Sequence, residues 1–156
     1  MISICDNHFI VDSPICQWLM EFNEAQLIGV KPTSGLAARP AHLDHHYPWQ
    51  APIEAYFKSN GKTSFNDFSF HTGTPFQHRV WHALQHIPSG TTQTYQQLAE
   101  TLDTCPRAIG QACRANPYPL LIPCHRVVAK SSLGGYMGSD SSNLMIKQAL
   151  IDLEAL

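Results

Sequence analysis

The chain has 156 residues, 44% of them apolar and only 14% charged, with a formal net charge of −2. That composition belongs to a globular protein and excludes a disordered chain or a non-specific nucleic-acid binder. No apolar run approaches the roughly 20 residues of a membrane span, so no membrane partner is expected.

The N-terminal MISICDNHFIVD has no basic stretch ahead of its apolar residues. No signal peptide is expected, and the expected location is the cytoplasm. Residues 13–30 predict a hairpin, with the apolar runs Trp18–Phe22 and Leu27–Val30 flanking a polar turn at Asn23-Glu24. Residues 31–50, rich in Pro, Gly and His, predict a loop. Ala51–Ser59 predicts a short helix stopped by Asn60-Gly61. Thr63–His71, with Phe65, Phe68 and Phe70 in imperfect alternation, predicts a strand.

The second half is more sharply punctuated. Thr74-Pro75-Phe76-Gln77 is a capping box with Pro at the first helical position. Phe76, Val80, Leu84 and Ile87 then recur at helical spacing until Pro88-Ser89-Gly90. Thr94-Tyr95-Gln96-Gln97 is a second capping box, opening a helix to about Leu102. Thr104 or Cys105 can cap a third helix, Pro106–Ala115, which ends at Asn116-Pro117. Two short helices joined by a tight turn are a helix-turn-helix candidate. Leu144–Glu154 predicts a terminal amphipathic helix.

The cysteines are five: Cys5, Cys16, Cys105, Cys113 and Cys124. The count is odd and no C-x-x-C pair occurs, so neither a disulfide framework nor a zinc ribbon is indicated. In a reducing compartment the default for the first four is a small buried hydrophobe. Charge is uneven. Residues 1–72 carry four Lys/Arg against seven Asp/Glu, and residues 73–156 carry six against five. No acid lies between Asp103 and Asp140, where Arg107, Arg114, Arg126 and Lys130 fall, so a polyanion can be met locally there.

The stretches GTPFQHRVWHALQHIPSGTTQTYQQLA, RAIGQACRANPYPLLIPCHRVV, GGY and KQALIDLE resemble the O6-alkylguanine-DNA alkyltransferases, also called methylated-DNA–protein-cysteine methyltransferases. The resemblance covers residues 73–156 and is carried most specifically by PCHRV. Residues 1–72 match weakly, through SPI and the hairpin after it. The resemblance implies an α/β fold: a small RNase-H-like N-terminal domain over 1–72, and over 73–156 a helical domain with a winged-helix-like helix-turn-helix. It implies irreversible, single-turnover transfer of an alkyl group to Cys124 from O6-alkylguanine in double-stranded DNA, with O4-alkylthymine as an alternative. The acting species would be a monomer without cofactor.

Each role follows from the resemblance. His125 would take the thiol proton through a water, Glu154 would hold His125, and Asn116 would complete the network, in the logic of nucleophile, base and orienter. A thioether has no hydrolytic exit, so no turnover is expected. Tyr95 would crowd a phosphate and donate to N3 of the flipped base. Arg107 would fill the stack vacated by that base. Ala108, Gly110 and Ala112 would let the helix enter a minor groove about 6 Å wide, with Arg114 beside them. Val127 and Cys124 would offer carbonyls to the guanine amino group. Gly135, Tyr136 and Met137 would close over the base. Arg126 would pair within the domain.

Two departures stand out. Cys124 to Tyr136 is one residue shorter than in most relatives, and Met137–Ile146 is longer by about four; within it Asp140, Ser141, Ser142 and Asn143 are polar and turn-forming, and Ser142 or Asn143 would cap the last helix. Three rival readings were weighed. A zinc site could draw on His42, His45, His46, His71, Cys5 or Cys16, but the relatives' matching cysteine is Asn23 here, so no metal is expected. A DNA-binding regulator would want long base-reading side chains on Pro106–Ala115. A thiol hydrolase would need Cys124 and His125 to pair directly, which is awkward for neighbours in a strand.

Overall fold

A computed structural model describes residues 8–24, 26–33, 49–137 and 141–156. The fold is mixed α and β. Three antiparallel strands, β1 (His8–Asp12), β2 (Gln17–Asn23) and β3 (Gln26–Thr33), form one sheet in chain order. The hairpin of β2 and β3 agrees with the predicted apolar runs, with Glu24 at φ 54° in its turn. β1 was not predicted. It pairs with β2 from His8↔Glu21 to Asp12↔Gln17, and Ser13 turns the corner, its Oγ accepting from the Cys16 and Trp18 side of the bend.

Alternation along β2 sends Trp18, Met20 and Phe22 inward. They meet α1 (Gln50–Lys58), whose buried residues Ile53, Tyr56 and Phe57 lie on one helical stripe. Trp18 and Phe57 stack with centroids 6.3 Å apart. The helix ends as expected, with Asn60 and Gly61 both at positive φ.

Thr63–His71 is not a strand. Phe65, Phe68 and Phe70 are buried, but they are spaced by three and then two, and an irregular backbone delivers all three inward. Local bonds replace a ladder: Ser59 Oγ accepts from Thr63 N, and Gln85 donates to Phe68 O at 2.9 Å. Phe68 packs edge-on against Tyr118, joining this segment to the second half.

Both capping boxes are present. α2 (Pro75–Gln85) opens on Thr74 and α3 (Tyr95–Thr101) opens on Thr94, each with reciprocal Thr and Gln bonds. α4 (Pro106–Arg114) follows after a four-residue connection. Its cap is Cys105, without a side-chain bond. A two-residue parallel pairing, too short to read from sequence, sets β4 (Gln93–Thr94) beside β5 (Val127–Val128) and so brings the start of α3 to the Cys124 segment. That segment, Cys124–Arg126, is a 3-10 turn and not a strand. α5 spans Ser141–Glu154, so it begins three residues ahead of the predicted start. Ser142 and Asn143 therefore lie inside its first turn and do not cap it. Among the described residues no helix is long and apolar enough to cross a membrane.

Candidate active site

The two-strand pairing, the N-terminus of α3, one face of α4 and the segment before α5 enclose a cavity of about 640 Å³. Cys124 lies at its floor, 4% exposed. Tyr95, Arg107, Gly110, Arg114, Gly135, Tyr136 and Met137 line it. Lys130 and Cys113 line it too. Cys113 is thus part of the cavity wall as well as a buried thiol.

Burial raises the Cys124 thiol above its ordinary value, while an Asn116 side-chain hydrogen bond and the Lys147 charge lower it. A buried thiol of that kind stays protonated at neutral pH and needs a base to react. His125 stands next to it in sequence and is fully buried. The 3-10 turn sends its Nε2 to Glu154 Oε1 at 2.8 Å. Glu154 accepts that hydrogen bond as a carboxylate, because the bonds from His125 and Arg126 outweigh its burial and hold the carboxyl well below the usual range. Nδ1 of His125 is left without a protein partner and unprotonated, available as an acceptor. Burial lowers the imidazole below its ordinary value, against the pull of Glu154, so the ring is neutral.

Arg126 binds Glu154 through Nε at 3.0 Å and through a terminal nitrogen at 2.8 Å, and donates to Ile87 O at 2.7 Å. It is an internal partner, as expected. The other cations of the acid-free stretch, Arg107, Arg114 and Lys130, are exposed on the cavity's outer wall. Asn116 sits behind the floor. Its amide donates to Ile122 O and its carbonyl accepts from Tyr118 N, both at 2.9 Å, which ties the end of α4 to the Cys124 turn.

Two residues are placed differently from the sequence reading. Ala112 is 2% exposed and faces α2, where its carbonyl accepts the Trp81 indole proton at 2.9 Å. Its small size serves helix packing and not a groove. Ala108 and Gly110 stay half-buried on the outer side, and Gly110 lies against the Tyr95 ring. Val127 is fully buried and does not line the cavity. Its carbonyl accepts a hydrogen bond from Lys147 Nζ at 2.6 Å.

Lys147 and Tyr56 were not anticipated. Lys147 is buried, and its ammonium donates to Val127 O, Leu133 O and Gly135 O at 2.6, 2.6 and 2.8 Å. It fastens the segment that carries Tyr136 and Met137 to the floor. Burial lowers its pKa to about 8. The signal was available: Lys147, Leu150 and Glu154 fall at i, i+3 and i+7, on the buried face of α5. Tyr56 reaches Glu154 from α1, and no spacing could have linked residues 98 positions apart. Tyr136 is buried in the wall, and Met137 stands at φ 48° with Asn143 donating to its carbonyl at 3.4 Å. Gly134 is required by its own φ of 73° and by Tyr95, whose ring would lie 2.7 Å from a Cβ there. Of the zinc candidates, Cys5, His42, His45 and His46 lie outside the described residues. Among the described ones no three His, Cys, Asp or Glu side chains converge.

Residues 75–156 match the family model for the DNA-binding domain of 6-O-methylguanine DNA methyltransferase. The chain belongs to the 6-O-methylguanine DNA methyltransferase family. A methylated-DNA–protein-cysteine methyltransferase of Saccharolobus islandicus is 44% identical over 82 residues, which are 53% of this chain and 52% of that protein. The chain spans about half the length of the curated relatives it matches. The fold extends further than that. An O6-methylguanine-DNA methyltransferase of Pyrococcus kodakaraensis superposes with a TM-score of 0.71 at 24% identity, covering 96% of this chain and 98% of the other. A Mycobacterium tuberculosis member, solved in complex with DNA, gives 0.68 at 26% identity over 94% and 92%. In the family match lie Cys124, His125, Arg126 and Glu154, together with the second capping box. Tyr56 lies outside it.

Proposed function

We propose that this protein repairs DNA by moving an alkyl group from O6 of guanine to Cys124, once per molecule. The observation that carries the reading is the neutral His125, held by Glu154 through Nε2 with Nδ1 free, one residue along the chain from a protonated thiol at the floor of an open cavity. The Cys124 sulfur bonds to the alkyl carbon as the carbon–O6 bond breaks. The thiol proton passes through a water to His125 Nδ1. The bonding pair leaves on O6 of guanine, and the anion, stabilised by a hydrogen bond from the Tyr95 hydroxyl to N3, takes its proton from solvent. Burial pushes the Tyr95 phenol up to about 12, so it remains a donor. The thioether that forms is not hydrolysed, and the protein does not turn over.

Double-stranded DNA is the partner. α3 and α4 act as a helix-turn-helix, with Arg107, Arg114 and Lys130 meeting the backbone and the vacated stack. The neighbour solved in complex with DNA supports this reading. Residues 1–72 would form an RNase-H-like unit and residues 73–156 the DNA-binding and acceptor unit, acting together as a monomer. Incubation with a duplex containing O6-methylguanine is expected to add one methyl group per chain, mapped to Cys124 by peptide mass. Cys124→Ser should bind the duplex and gain nothing. Repeated turnover, or a methyl on Cys113, overturns the mechanism.

A further inference from the structure

Glu154 is gripped from both halves of the chain. Its Oε1 accepts from His125 Nε2 at 2.8 Å, from Arg126 at 2.8 Å and from the Tyr56 hydroxyl at 2.6 Å. Tyr56 is fully buried, with its ring against Phe57 and Phe65. The end of α1 is shaped around the same carboxylate. At Gly61, with φ 78°, a Cβ would come within 2.5 Å of Glu154 Cγ.

A phenylalanine would fill the position of Tyr56 with the same ring. A buried hydroxyl is costly unless it is bonded, and this one bonds to Glu154. It adds a third donor to the oxygen that holds His125. It fixes the rotation of the carboxylate, and by sharing the charge on Oε1 it limits how strongly Glu154 draws a proton onto the imidazole. Burial and Glu154 push the phenol far above its ordinary range, so it stays a donor throughout any assay.

We propose that Tyr56 is a positioning residue for alkyl transfer, so that α1, outside the family-matched segment, is a working part of the reaction centre. This rests on the reading of Cys124 as acceptor and His125 as base. The other charged groups acting on His125 are Glu154 and Lys147 from α5 and Arg126 from its own turn. Changing Tyr56 leaves Lys147 and Arg126 as they are and reaches His125 only through Glu154.

The test is Tyr56→Phe in the full chain, assayed with O6-methylguanine duplex and with free O6-benzylguanine across pH. The plateau rate should fall about tenfold on both substrates, as for loss of one hydrogen bond to a charged group, with duplex affinity unchanged. Oε1, relieved of a donor, holds more charge and favours the imidazolium. The ascending limb of the pH–rate profile should therefore move to higher pH, and a ¹⁵N-histidine titration of His125 should move with it. Slowing on duplex DNA alone, or a wild-type rate and limb, overturns the assignment. Should Tyr56→Phe fail to fold, 3-fluorotyrosine at position 56 keeps the ring and strengthens the donor, and the limb must move to lower pH. An unmoved limb there also overturns it. If the parent protein itself gains no methyl, the proposed function fails. If the parent is methylated and the Tyr56 variants match it, only the role of Tyr56 fails.

Discussion

The two halves of the chain hold the site by different means. From Pro75 onward the positions are set by short, directional devices. Two capping boxes start α2 and α3, a two-residue parallel pairing aligns Tyr95 with the floor, and Asn116 and Lys147 bind named carbonyls. The first half works by aromatic mass. Trp18, Tyr56, Phe57, Phe65 and Phe68 fill the space between the sheet, α1 and Tyr118, and of this apolar set only the Tyr56 hydroxyl reaches a reacting network. Directional bonds fix a geometry to tenths of an ångström, while packing tolerates exchange of similar volumes. The chemistry should therefore be brittle in the second half and forgiving in the first, except at the carboxylate where the halves meet.

Glu154→Gln tests that meeting point and should have the largest effect. An orienting carboxylate in a nucleophile–base network is worth about 10⁴ in rate, and the loss should appear equally with duplex and free base. Removing one side of a buried ion pair also costs about 3–5 kcal/mol, because Arg126 is left unpaired. The pH dependence has a definite sign. In the unfolded chain the carboxyl titrates near 4.5, and in the fold it titrates well below that. The native state therefore binds fewer protons in that window. Its stability from this group is complete above pH 4.5 and is lost as pH falls toward the low folded value. Urea melts of the parent should weaken steeply below pH 4.5, and those of Glu154→Gln much less. Parallel acid profiles would mean that the two halves are not joined through this residue.

The same contrast explains what could be read in advance. α2 and α3 were legible because Thr74 and Thr94 each carry their glutamine three residues on, a code that needs no tertiary context. The Cys124–His125–Glu154 grouping was legible only through the resemblance carried by PCHRV and KQALIDLE. The phenylalanines of 63–71 misled, since burial without a ladder produces a similar apolar pattern. Ser141 and Ser142 read as turn residues, yet they form the first turn of α5, where exposed polar side chains are unremarkable. Ala112 belonged to the core because Ile109, Ala112 and Cys113 make up the buried side of α4, with the Ala112 carbonyl bonded to Trp81 of α2. Tyr56 carried no local sign of its partner.

Arg107→Ala separates extrusion from chemistry, and its effect should be smaller. Arg107 is exposed on the outer cavity wall, and none of the hydrogen bonds that hold the floor comes from it. Its place suits the gap left by an extruded base, which costs a few kcal/mol to open. Repair of duplex O6-methylguanine is expected to slow by about ten- to a hundredfold. Reaction with free O6-benzylguanine should keep the parent rate. Equal slowing of both reactions would move Arg107 into the chemistry and blur the division between a fixed floor and an outer wall that handles DNA.

The smallest expected effect comes from Lys147, the fastener of the closing segment. Its ammonium has three protons and three carbonyl partners, and burial lowers its pKa to about 8. A neutral amine can serve only two. As pH rises through about 8 one tie is lost, Tyr136 and Met137 are held less firmly, and transfer should slow by a few-fold on either substrate. Ionisation of Cys124 would act in the opposite direction, but burial holds that thiol above its ordinary value, so its contribution comes later in the titration. Stability behaves differently from rate. The lysine titrates near 10.5 when unfolded, so between 8 and 10.5 the folded state binds fewer protons and this group's contribution to stability rises with pH. A fall in rate across pH 8–9 without a fall in Tm is thus the signature of the fastener. Lys147→Arg remains charged across this range, and its profile should be flat there whatever its absolute rate. A parent rate that climbs steadily through pH 9, or a fall matched by Lys147→Arg, would show that the closing segment is held by packing, as the first half is.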